Sequence, residues 1–317
     1  MRSTLLATIF SALLVVSCGY HPQVKQRTFH FNYEVSVLPI ENEGAVELWI
    51  PLPHNGPHQT ISNVTIESLL DASVHIDTTY GNALVYLSTN SPPPAGFTVS
   101  LSFDVNRKEQ RIIPSSLPSH KKHLYLAPKS KVPRDNRFDE IVQTVLSPHL
   151  TTMENGRLLY DHTLDRMTYD KSGEGWGLGD AIYACDMGRG NCTDFHSLFN
   201  ALVRTADIPA RFLIGFPLSE EEEGTIGGYH CWAEFHDAQR GWVPVDISQA
   251  DKHPEREDYL FGNLDPNRVL FTMGRDIVLV PKAQGGPVNF FIYPVLEIDG
   301  ARSDAYTRKF TYHSLRS

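Results

Sequence analysis

Cys192, His230 and Asp246 carry the three side chains that covalent acyl transfer needs. A thiolate attacks a carbonyl, an imidazole takes and returns the proton, and a carboxylate holds the imidazole in one tautomer. Each residue alone has a plainer use: a buried structural cysteine, a packed strand histidine, a turn aspartate. Their settings point the other way. The segment Gly188-Arg189-Gly190-Asn191-Cys192-Thr193-Asp194 opens a predicted helix, with Asn191 at the N-cap. Phe195, Leu198, Phe199, Leu202, Val203 and Ala206 follow at helical spacing and form one apolar face. Cys192 then lies in the first helical turn, where the helix dipole and free N–H groups favour a thiolate and could bind an oxyanion.

The other two residues belong to a predicted hairpin. Tyr229 to Phe235 and Trp242 to Ile247 read as strands, joined through His236-Asp237-Ala238-Gln239-Arg240 and Gly241. Centred on Ala238, the hairpin pairs Phe235 with Gly241, Trp232 with Pro244, and His230 with Asp246. Opposed residues share a face, so the spacing sets an imidazole beside a carboxylate. A slip of one residue would separate them.

These motifs resemble a family. Gly190-Asn191-Cys192-Thr193-Asp194-Phe195, Ile208-Pro209-Ala210-Arg211 and Gly215-Phe216 look like the core of the bacterial transglutaminase-like superfamily. Gly228-Tyr229-His230-Cys231-Trp232-Ala233-Glu234 and Gly241-Trp242-Val243-Pro244-Val245-Asp246 look like its histidine and aspartate motifs. The resemblance covers about Gly156 to Ile247 and implies a papain-like core, in which a Cys-bearing helix packs on an antiparallel sheet. It assigns Cys192 as nucleophile, His230 as base then acid, and Asp246 as the residue that orients His230. The family often places an upstream aromatic ring near the oxyanion; Trp176 is the candidate, and a packed tryptophan in a Gly-rich loop is the alternative. Cys185, Cys192, His196, His230 and Cys231 have zinc-ligand side chains, but no CxxC pair occurs. No metal and no cofactor are expected.

The expected activity is therefore cysteine-dependent acyl transfer on amide bonds through a thioester, hydrolytic in the manner of a protease or amidase. A crosslinking transglutaminase and a non-catalytic cell-surface binding module are the alternatives. Peptide, protein and peptidoglycan-type amides all fit as substrates. With 28 Lys+Arg against 37 Asp+Glu, the net charge of -9 argues against nucleic acid as a partner.

The elements that must position these residues read as α+β. Arg2 precedes an apolar run from Leu5 to Val16, too short for a bilayer span and suited to a signal peptide over residues 1–17. Val15-Val16-Ser17-Cys18 resembles the bacterial lipobox, which makes Cys18 the expected lipid attachment site and residues 18–27 a tether; an ordinary signal peptide containing a cysteine is the alternative. An exported protein tethered to a membrane by lipid follows. Of the four cysteines, three then remain, so at least one thiol is free. Period-two alternation at Phe29/Phe31/Tyr33/Val35/Val37 and Val99/Leu101/Phe103/Val105 predicts a β-sandwich over 28–106. Residues 107–135, rich in Pro, Ser and Lys, read as a linker, and 136–317 as the transglutaminase-like domain. The lipobox reading predicts a mature chain that begins at Cys18 and sediments with membranes, whereas Cys18→Ser is released or left unprocessed. An unmodified N-terminus elsewhere, by mass spectrometry, would refute it.

Overall fold

Alternating apolar residues of strand Gln26–Val37 all turn to one side, and Phe29, Phe31, Tyr33, Val35 and Val37 are buried there. This strand is the centre of a five-stranded antiparallel sheet in the computed structural model, which describes residues 24–40 and 44–315. Residues 1–17, Cys18 and the start of the tether lie outside these. Strand Phe97–Lys108 pairs with it on one side and strand Tyr306–Ser314 on the other. Strands Gln59–Ser68 and Glu223–Thr225 form the edges. A second five-stranded sheet orders Ala301–Ser303, Val295–Ile298, Val46–Leu52, Ala83–Thr89 and Ala72–Ile76. Val46, Leu48, Ile50, Val85 and Leu87 of this sheet share one core with the aromatic row of the first. That is the face-to-face packing of a sandwich.

The sandwich differs from the expected one in its boundaries. Its first sheet is closed by Tyr306–Ser314 and its second takes Val295–Ile298 and Ala301–Ser303, so it is not confined to residues 28–106. The reason is in the core. Tyr33 and Phe310 meet edge to face at 4.6 Å, and Phe216 lies 4.3 Å from Phe310, so the C-terminal strand covers an aromatic surface that would otherwise face water. Residues 107–135 also carry structure: Gln110–Arg111 pairs with Asn263–Leu264, and Ser119–Leu126 is a helix.

A third, four-stranded antiparallel sheet carries the candidate site, in the order Gly241–Val245, His230–Asp237, Ala210–Pro217, Arg268–Met273. Helix Cys192–Thr205 packs on it and is itself surrounded by helices Asn136–Val145, Thr152–Arg166 and Ala181–Met187. Phe199 of the Cys192 helix meets Phe235 at 6.1 Å, and Gly156 lets helix Thr152–Arg166 approach Phe235 so closely that a Cβ there would sit 2.5 Å from its ring. The fold is α+β with a papain-like core, as the motifs led us to expect. Among the described residues no helix is long and apolar enough to cross a membrane.

Phe31 contacts both Phe216 and Phe271 of the four-stranded sheet, so sandwich and core share one apolar cluster. Phe310→Ala should therefore cost about 3–5 kcal/mol and lower the stability of the whole chain in a single cooperative transition. Denaturant unfolding followed by both fluorescence and far-UV dichroism checks this; two separate transitions would show that the C-terminal strand is a detachable part.

Candidate active site

The start of the Cys192 helix is built around a buried carboxylate. Asn191 is the N-cap, accepting from Thr193 N, and Asp194 at the third helical position returns a bond from the Asn191 N–H at 2.9 Å. Asp194 also accepts from Gly177 N at 2.7 Å and Gly179 N at 3.0 Å, which fastens the Gly-rich loop to the helix. A Cβ on Gly190 would lie 2.3 Å from the same carboxylate, so only glycine fits before the cap. Buried Arg275 clamps the other side, bonding Ser197 Oγ at 2.7 Å and Gly179 O at 2.8 Å. The sequence motifs included Asp194 without giving it a role of its own, and did not include Arg275. Asp194 had a readable signature, an acid three residues after an Asn cap; Arg275 had none.

His230 begins its strand and Asp246 follows the last residue of the next one. Their side chains meet, His230 Nε2–H donating to Asp246 Oδ2 at 2.7 Å. The hairpin register is not the expected one. Glu234 faces Pro244, Phe235 faces Val243 and Asp237 faces Gly241, a shift of two residues. The turn explains it: Asp237 Oδ1 accepts from Gln239 N and Arg240 N, and Gly241 takes φ +85°, so the loop closes one pair later than a turn centred on Ala238. Asp246 is then not on the strand opposite His230 but is the N-cap of helix Ile247–Lys252. An even shift keeps both side chains on one face, and the diagonal distance is within their reach.

Asp246 is fully buried and well supplied with donors. Besides His230, Arg268 Nη1 donates to Oδ2 at 2.9 Å, Gln249 N to Oδ1 at 3.2 Å and Ser248 Oγ to Oδ1 at 3.3 Å. Burial opposes the charge, but His230 and Arg268 outweigh it and hold the carboxyl far below the usual range. With Nε2 committed to Asp246, the Nδ1 of His230 is left for Cys192, with which the ring hydrogen-bonds. Burial would lower the His230 pKa; the Asp246 carboxylate and the Cys192 sulfur raise it to about 9. For Cys192, burial opposes ionisation, yet the hydrogen bonds of Cys231 and His230 and the imidazolium charge bring the thiol well below its ordinary value. Both groups are thus shifted toward their charged forms, the thiol downward and the imidazole upward.

Two neighbours complete it. His196, one helical turn after Cys192, donates Nδ1–H to Cys192 O at 2.7 Å and accepts from Ile247 N at Nε2, which fixes a neutral ring that links the helix to Asp246's turn. Cys231 is kept protonated by burial and by the adjacent Cys192 sulfur, to which its S–H donates. Cys185, Cys192 and Cys231 are all free thiols. Trp176 is half-buried in the loop that Asp194 holds, with Lys171 Nζ 5.7 Å from its ring. Tyr169 lies near the sulfur, with Lys252 Nζ 3.4 Å from its ring.

Residues 139–247, which include Cys192, His230 and Asp246, match the sequence model of the transglutaminase-like superfamily core. An uncharacterized protein of Haemophilus influenzae is 28% identical over 335 residues, covering 92% of this chain and 90% of that protein. The uncharacterized protein YebA of Bacillus subtilis is 27% identical over 154 residues, which cover 45% of this chain and 19% of YebA. The crystal structure of a candidate cysteine protease from Cytophaga hutchinsonii has the same fold, with a TM-score of 0.63 at 15% identity, covering 93% of this chain and 92% of that one.

The site geometry predicts selective alkylation. Iodoacetamide should reach its full rate at Cys192 well below pH 8, while Cys185 and Cys231, raised by burial, stay slow. In His230→Ala the Cys192 midpoint should rise to about 8.5 or above, because the paired cation is gone. An unchanged midpoint in that variant, by pH-resolved mass spectrometry, would refute the ion pair.

Proposed function

We propose that this chain, whose residues 139–247 match the transglutaminase-like superfamily core, hydrolyses amide bonds through a Cys192 thioester, with His230 and Asp246 completing the triad. The observation that carries this reading is the 2.7 Å bond from His230 Nε2 to buried Asp246, which leaves Nδ1 for the Cys192 sulfur. The Cys192 thiolate attacks the amide carbonyl and forms a C–S bond. The N–H groups of Thr193, Asp194 and Phe195 are taken by Asn191, so the Cys192 N–H is the first-turn donor left for the developing oxyanion. The His230 imidazolium then passes its Nδ1 proton to the leaving amine as the C–N bond breaks. Neutral His230 next takes a proton from water as that water attacks the thioester; the acid departs and the thiolate returns.

Water is the default second acceptor, because in aqueous solution its concentration exceeds that of any free amine. Peptide, protein or peptidoglycan-type amides are the proposed substrates. A chain exported and tethered through Cys18 would meet them outside the cytoplasm.

Single-turnover acylation of an activated amide tests the triad. Cys192→Ala should abolish it, His230→Ala should lose about 10²–10⁴-fold, and Asp246→Asn should lose less. The double variant His230→Ala/Asp246→Ala should be little slower than His230→Ala alone, since the pair acts as one unit. Near-UV dichroism must first show each variant folded. The folded pKa of His230 lies above that of a free imidazole, so the proton it donates is present through neutral pH and lost as pH rises through about 9, where acylation should fall. Additive losses, or a rate unchanged in His230→Ala, would overturn the assignment.

A further inference from the structure

Glu234 lies four residues beyond His230 on the same strand, roughly 13 Å away along it. Its neighbour Phe235 packs on the Cys192 helix, so Glu234 points to the opposite side of the four-stranded sheet. There the loop around His54–Gln59 and the segment following Arg107 roof a cavity of about 310 Å³. The cavity is separate from Cys192 and rests on no reading of the triad.

Its charges do not balance. Glu234, 1% exposed, accepts from Gln110 Nε2 and from Arg211 Nε, both at 2.5 Å. Arg211 in turn stacks over Trp242, with its guanidinium 4.1 Å from the ring. That carboxylate is therefore committed. Arg107 also lines the cavity and is only 2% exposed, yet its Nη2 bonds the neutral Gln110 Oε1 at 3.0 Å and its Nε has no partner among the described residues. Among the residues lining the cavity two guanidinium groups thus face one carboxylate; Asp265, outside the lining, also acts on Arg107. His54 Nδ1, in the same wall, is likewise without a partner. His54 and His58 add no charge at neutral pH: burial first, then the nearby arginines, hold both below the ordinary range, His58 at about 4. Burial and the charge of Arg268 also press on Arg107 and outweigh Glu234 and Asp265, bringing it to about 9. A buried cation bonded only to a neutral amide is costly, and an incoming anion would relieve that cost.

We propose that this cavity binds a small organic monoanion, a carboxylate on an apolar body, with the carboxylate against the guanidinium of Arg107. A single excess charge in the lining suits a monoanion better than a dianion, and the flat guanidinium edge matches a carboxylate. The volume is that of roughly ten waters in the liquid, far more than the head group needs. Leu213, Leu270 and Met273 line the rest and receive the body, with Trp242 beside them.

Titration of the full mature chain with octanoate and with octan-1-ol, by calorimetry and by ¹H–¹⁵N spectra of the indole N–H groups, tests the assignment. Octanoate should bind at one site, about tenfold or more tighter than the alcohol. It should shift the Trp242 indole signal and leave Trp49 and Trp176 unmoved. Arg107→Met should erase the preference for the acid. Equal binding of acid and alcohol would mean a merely apolar cavity and overturn the proposal, as would no binding of either, shifts away from Trp242, or an undiminished preference in Arg107→Met. Should Arg107→Met fail to fold, the acid–alcohol comparison and the Trp242 signal on the unaltered chain decide the matter alone.

Discussion

The carboxylate of Asp246 has no exposure at all, and a charge so placed costs several kcal/mol unless donors surround it. The donors come from three separate elements: His230 at the head of one strand, Arg268 at the head of another, and the first turn of helix Ile247–Lys252. Each must arrive for the burial to be tolerable, so one ionised group ties the sheet's register to the helix that follows it. Arg268 is held on its far side by Asp265 and lies 5.1 Å from the Trp232 ring, so its position is also over-determined. The chemistry at His230 inherits this rigidity, because its tautomer is set by a partner that cannot move without stranding a charge.

A second buried acid does the same for Cys192. Asp194 collects N–H groups from Gly177, Gly179 and Asn191, joining a loop that precedes the helix by more than ten residues to its first turn. Burial still raises its pKa, and the neighbouring sulfur adds to that push, so backbone donors offset the penalty only in part. Arg275 sits close by, fully buried, and bonds the same loop. The position of the Cys192 sulfur therefore depends on the loop, and the loop depends on two charges from distant parts of the chain.

These dependencies explain what could be read from the amino acids. The Cys192 helix carried its cap, its apolar face and its motif within about fifteen residues, so local rules sufficed. The meeting of His230 and Asp246 was legible too, but for a partly wrong reason: the opposed pairing was off by two, and parity alone preserved the contact. The turn at Asp237 and Gly241 set the true register, through hydrogen bonds that no alternation pattern encodes. Strand Tyr306–Ser314 was invisible as a partner of Gln26–Val37 because nothing local specifies pairing across the whole chain. Its selection rests on Phe310 filling a surface shared by Tyr33 and Phe216. Arg268 begins a largely apolar strand, and nothing beside it in the sequence announces its bond to buried Asp246.

Three thiols are buried, Cys192 and Cys231 in one apolar cluster and Cys185 in another, and their environments set them apart. Cys185 is buried with no cation directed at its sulfur strongly enough to offset desolvation, so it stays protonated. Cys231 lies beside His196 and next to His230 in sequence, yet its Sγ is 3.7 Å from the ring of a neutral histidine rather than an imidazolium. Two adjacent thiolates would repel, and a site with one imidazolium can stabilise only one of them. The helix start and the His230 proton both favour Cys192, so Cys231 keeps its hydrogen and donates it to the neighbouring sulfur. The second thiol is thereby converted from a competitor into a donor that lowers the pKa of the first.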